Sequence, residues 1–176
     1  GAVFLNPVLG SEFTDPGALA TVQKSLNKMG LNIDMGTQVM DASELVYSNY
    51  VIAKPQFWRQ WLDRVNAIYV QAEQGEDTQL QSELVKPTHY GGNAQRKVFL
   101  VECLASVLFV HEKMKVKSIP IDNTKAAKGV MHPYFEAAMV CDRLKTQFKQ
   151  TGEPKYLEAF QNQSAEILSK FIKPAA

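Results

Sequence analysis

The chain has 176 residues, 45% of them hydrophobic and 21% charged, with a net charge of +1. That is the size and make-up of one globular domain with a core of its own, so no disulfide or metal staple is required. It excludes a broad basic field for nucleic acid, and no apolar run is long enough to span a bilayer.

The first residues carry no signal-peptide pattern. Cys103 and Cys141 both sit in apolar helical patterns and read as reduced core thiols of a cytoplasmic protein. Three scattered histidines give no zinc-like spacing. The chain opens on Gly1 rather than Met, and two readings stay open: one complete domain over residues 1–176, or a piece of a longer protein.

In chain order, "VFLNP" reads as a short strand or an extended lead-in and "SEFTDPG" as a loop, with Asp15 placed to cap a helix and Pro16 at its first position. Leu19, Val22, Leu26 and Met29 recur at helical spacing, and Gly30 suits a left-handed cap. "LNIDMGTQVMDASEL" has no clear period. "VYSNYVIA" is β-branched and aromatic, which predicts a strand up to Ala53. Lys54-Pro55 then starts a helix whose Phe57, Trp58, Trp61, Leu62, Val65, Ile68, Tyr69 and Ala72 form one apolar face. Both tryptophans are thus expected in the core rather than on an exposed platform.

"GEDTQLQSELV" reads as a short polar helix and "KPTHYGGNAQ" as a loop, with Gly91-Gly92 permitting unusual backbone angles. "RKVFLVECLASVLFVHEKM" is apolar nearly all round and marks a central buried helix. "VKSIPID" predicts another short strand. Residues 132–173 read as a closing helical hairpin, with the turn at Gly152 and Pro154. The fold class expected is α+β, predominantly helical, with a few short strands packed on the central helix.

The motifs that carry phosphate or acyl chemistry (G-x-x-x-x-G-K-[ST], G-x-G-x-x-G and G-x-S-x-G) are absent, as is a D-x-D pair for a metal. Glu102 stands out as a carboxylate in the most apolar helix. A buried charge must be paired, hydrogen-bonded or neutralised. Either Glu102 anchors a neighbour, such as Arg96, Lys97 or loop backbone, or it lines a cleft as a base or ligand contact. His89 and Tyr90, beside the paired glycines, are either a plain turn or a ligand contact. His111 falls on the face opposite Glu102, and His132 before Pro133 suits a cap.

Two stretches carry a resemblance. "YSNYVIAKPQFWRQWL" resembles the strand–helix passage late in the catalytic domain of bacterial polysaccharide-type glycosyltransferases with a GT-A-like fold, where S/C-N-[YF] leads a strand and A-K-x-x-F-W opens a helix. "QRKVFLVECLASVLF" resembles the helix that follows there, typically R-x-x-x-F-L-x-E-R-L; Arg96, Phe99, Leu100, Glu102 and Leu104 match, and Cys103 replaces the usual Arg.

"CDRLKTQFKQTGEPKYLEAF" is similar to the helical tail after such domains. The resemblance implies the acceptor-side part of an enzyme that moves a sugar from a nucleotide donor to a saccharide acceptor. On that layout the donor-binding N-terminal half is missing here, so the chain is expected to be either the C-terminal part of a longer enzyme or a relative that has lost the chemistry. On that layout Ser48, Asn49 and Glu102 would lie near the acceptor cleft, with Glu102 the base; with the loop residues His89 and Tyr90, and with Arg96, Ser48 and Asn49 make up the expected substrate contacts. No metal or cofactor is expected in this chain, and a divalent ion only in a longer parent enzyme. The chain alone is expected to be inactive. The alternative is a non-catalytic helical protein-interaction domain.

Overall fold

The computed structural model describes residues 2–46, 50–90, 93–118 and 132–170. Seven α-helices occur among them: α1 (Pro7–Thr14), α2 (Ala18–Lys28), α3 (Pro55–Glu73), α4 (Thr78–Val85), α5 (Arg96–His111), α6 (Phe135–Thr151) and α7 (Pro154–Ser169). There is no sheet among the described residues, only an isolated antiparallel bridge between Pro87 and Gln95. The expected α+β class is therefore corrected to all-helical.

The short strand or extended lead-in expected at "VFLNP" is a turn that ends at a helix cap. Asn6 accepts from the backbone N–H groups of Val8 (3.0 Å) and Leu9 (3.1 Å), and Pro7 takes the first position of α1. The same Asn6 amide donates to the carbonyls of Met35 and Gln38, both at 2.8 Å. One buried side chain thus starts α1 and pins the aperiodic segment after α2. That segment is core, with Leu31, Ile33, Met35, Val39 and Met40 buried. Its irregular backbone is held by side chains instead of a ladder: Gln23 donates to Ile33 O and accepts from Met35 N.

Of the strand expected up to Ala53, residues 47–49 lie outside the described residues. Residues 50–53 belong to no strand. Val51 and Ala53 pack against the core, while Tyr50 and Ile52 are 89% and 94% exposed. The β-like alternation is present, but no neighbouring strand among the described residues supplies hydrogen bonds, and strand propensity is realised only in a sheet. Of "VKSIPID", residues 116–118 are irregular and the rest lies outside the described residues.

Helix α5 packs against α1, α3 and α4, and most of its positions from Leu100 to Phe109 are buried. Phe57 stacks on Phe109 with ring centroids 5.5 Å apart; Trp58, Trp61 and Val65 are half-buried on the same core. Helices α6 and α7 pair through Ala138, Cys141, Phe160 and Ile167, and Val3 joins that cluster. Both cysteines are free and buried. No helix among the described residues is long and apolar enough to cross a membrane.

Candidate functional site

Arg96 opens the apolar helix α5 yet is only 1% exposed. A guanidinium there needs all five of its N–H donors satisfied. It grips Asp15 with two bonds, Nε to Oδ2 at 2.7 Å and Nη2 to Oδ1 at 2.8 Å. It also donates to Thr21 Oγ1 at 2.9 Å, to the carbonyls of Gly17 and Pro16, and to Glu83. The Arg96 bonds hold the Asp15 carboxyl below the usual carboxylate range.

Asp15 is therefore the counter-ion of Arg96, not the helix cap expected of it, and Pro16 precedes α2 instead of opening it. The N-terminus of α2 is capped from α1. Its Ncap, Gly17, has φ 91° and no side chain, and Glu12 accepts from the N–H groups of Gly17 (3.0 Å) and Leu19 (2.7 Å).

These bonds clamp α1 beside α5 and leave a cleft of about 250 Å³ between them. Its walls are Pro7, Val8, Ser11, Thr14 and Asp15 on one side and Arg96, Phe99, Leu100, Glu102 and Cys103 on the other. Phe4 closes one part, and the turn Thr88–Tyr90 covers another. That turn is fixed at its base, where Thr88 N donates to Ala94 O at 2.9 Å and Arg96 N to Lys86 O at 3.0 Å. Tyr90 then stacks on Phe99 (5.0 Å between centroids, 28° between planes), and His89 leans on Tyr90 at 4.1 Å.

Four of the residues singled out in the sequence, His89, Tyr90, Arg96 and Glu102, thus line one cleft, although they come from two separate elements. Ser48 and Asn49 lie outside the described residues. Glu102 departs from its expected state. It is half-buried, and among the described residues no hydrogen bond or ion pair engages it. Arg96, one of its expected partners, has its donors directed at Asp15, Glu83, Thr21, Gly17 and Pro16.

The other polar side chains of the cleft are also occupied. Ser11 donates to Pro7 O, Thr14 to Ser11 O and Thr88 to Ala94 O. The imidazole of His89, the hydroxyl of Tyr90 and the carboxylate of Glu102 make none of the hydrogen bonds found among the described residues. Burial, with Glu102 adding to it, pushes the nearby Cys103 thiol up to about 12, so no thiolate is available as a nucleophile.

Arg96 is accordingly a wall of the site, with its charge directed away from any occupant. Phe99 and Asp15 are the residues whose roles the sequence understated. A buried Arg signals a nearby carboxylate, but not which one. No group of three or more His, Cys, Asp or Glu among the described residues is arranged to hold a metal ion. A free carboxylate beside a tyrosine hydroxyl and stacked rings can accept hydrogen bonds, hold a cation, and seat a flat or ring-shaped apolar face.

No family model matches the chain, and neither a curated protein nor a solved structure does.

Proposed function

We propose that the chain is the acceptor-side part of an enzyme that transfers a sugar from a nucleotide donor, and that the α1–α5 cleft takes the saccharide acceptor. The observation that supports this reading best is the set of three unengaged polar groups, His89, Tyr90 and Glu102, in a cleft whose remaining polar side chains are bonded internally. Sugars present an apolar C–H face and a rim of hydroxyls. The Tyr90–Phe99 stack suits the first, and the carboxylate and hydroxyl suit the second. The charge of Arg96 is spent on Asp15 and Glu83, which leaves the imidazole of His89 as the one other basic group among the described lining residues, too little to neutralise a nucleoside diphosphate. Donor binding therefore falls to another part of the enzyme.

The test is a titration of the chain with short oligosaccharides and, separately, with nucleotide sugars plus manganese, followed by amide chemical shifts. Saccharides are expected to move the signals of residues 88–90 and 99–103, and Tyr90→Ala to abolish this, while nucleotide sugars leave the spectrum unchanged. Tight nucleotide-sugar binding in the cleft would overturn the division of labour.

The second reading, a non-catalytic interaction domain, is favoured by Tyr50 and Ile52 standing clear of the core. Under it no saccharide moves the cleft signals.

A further inference from the structure

The acceptor reading leaves open what kind of sugar would sit in the cleft, and the charges around it bear on that. The carboxylates lining the cleft are those of Asp15 and Glu102, and its basic groups are the guanidinium of Arg96 and the imidazole of His89; Arg96 also reaches Glu83 outside the cleft, and Asp15 feels Lys86 and His89 besides Arg96. Within the cleft two carboxylates face one guanidinium and one imidazole. The pairing is uneven as well: Arg96 is bound to Asp15 and Glu83 together, whereas Glu102 has no cation of its own among the described residues. Lys97, next to Arg96 on α5, is turned to Glu73 of α3.

A carboxylate in a half-enclosed, largely apolar cleft gains most from a positively charged partner, because the surrounding low dielectric strengthens the attraction. The flanking rings add to this, since the faces of Tyr90 and Phe99 also attract a cation. A neutral hydroxyl would leave that charge only partly compensated.

We propose that the cleft binds an acceptor sugar carrying a free, protonated amino group, its ammonium seated on Glu102 and its ring lying on the Tyr90–Phe99 stack. This rests on the saccharide reading and adds the amine to it. It also makes Glu102 a binding residue, since a carboxylate held by an ammonium is a poor base.

The experiment titrates the chain in mildly acidic buffer with glucosamine dimer and trimer, with their N-acetylated counterparts, and with benzylamine as a non-sugar ammonium. Glucosamine oligomers are expected to bind roughly tenfold more tightly than the acetylated ones, the effect of about one charge-assisted hydrogen bond. Glu102→Gln is expected to bring them down to the same affinity, with the melting temperature confirming that the variant is folded. Equal affinity for free and acetylated sugars in the wild-type chain overturns the amine and keeps the saccharide reading. Benzylamine binding that depends on Glu102, without any sugar binding, overturns the saccharide reading and keeps an ammonium site. If none of the ligands binds, both fall.

Discussion

Arg96 and Glu102 lie on the same helix and have opposite circumstances. Arg96 is buried and fully bonded; Glu102 is half-buried and unengaged. Their substitutions should separate accordingly. Arg96→Met leaves Asp15 partly buried without its cation and is expected to cost about 3–5 kcal/mol in urea denaturation, the usual loss when one partner of a buried pair is removed. Glu102→Gln breaks no bond and should stay within about 0.5 kcal/mol of wild type.

Asp15 also sets a pH dependence. Its folded-state carboxyl lies below the ordinary 3.8 because Arg96 hydrogen-bonds its charged form. The unfolded chain therefore binds the proton first as pH falls. The stability Asp15 contributes is present above its ordinary value and is lost as pH drops through the lowered folded one. Asp41 adds to the same slope: burial opposes its ionisation, but the bonds from Ser43 and Lys149 outweigh it. Melting temperature should fall in this acidic range, and Asp15→Asn should flatten the fall. An unchanged slope would remove Asp15 from the account.

Among the elements, the hairpin α6–α7 turns on Gly152 at φ 71°, and a Cβ there would meet nothing within 4 Å. Gly152→Ala should then cost about 1–2 kcal/mol from backbone strain alone. A larger loss would point to a contact at that turn.

Helix α3 carries a different irregularity. Trp61 Nε1 is buried without an acceptor among the described residues. Trp61→Phe removes that orphan donor and is expected to be neutral or stabilising by up to about 1 kcal/mol. Trp61→Ala opens a gap in the aromatic cluster and should cost about 3 kcal/mol, low in the usual range because the ring is only half-buried. Equal effects of the two would mean that packing at Trp61 is unimportant.

Helices α2, α3, α5 and the hairpin were legible from their periods and their Gly and Pro punctuation. Helix α1 was not. It is short, and its Gly10 and the Asp15-Pro16-Gly17 after it made the stretch read as a loop. With α1 went one wall of the cleft.

At the scale of the whole molecule, the N-terminal segment ties two hydrophobic clusters together. Lys145 of α6, 0% exposed, donates to Phe4 O at 2.9 Å, and Ser164 of α7 donates to Val3 O at 2.6 Å. From the other side, Met40 N bonds Leu5 O, and Asn6 holds the segment after α2. Burial pushes the Lys145 amine down, against the pull of Asp142 and Asp41, so it gains most from the carbonyl it binds. A second tether runs from Lys149 to Asp41 and Glu44, and Ala42 N bonds Asp142. Deleting residues 1–5 is expected to speed amide exchange across α6 and α7 while leaving α5 protected. Uniform loss of protection would show instead that the two clusters unfold as one unit.

The sequence by itself determined what depends on local pattern: the helical period of the long elements, the breaks at Lys54-Pro55 and Gly152, and the buried helix α5; it also singled out His89, Tyr90, Arg96 and Glu102, which line one cleft. Only the tertiary structure decided what depends on partners distant in the chain. The strand-like run ending at Ala53 has no neighbour to pair with among the described residues, so Tyr50–Ala53 belongs to no strand. Asp15 reaches across the chain to Arg96 and so takes one of the cations that Glu102 was expected to pair with. A side chain's type is local information. Whether its charge is spent or free is set by which other groups the packing brings within hydrogen-bond reach, and for Glu102 it brings none among the described residues.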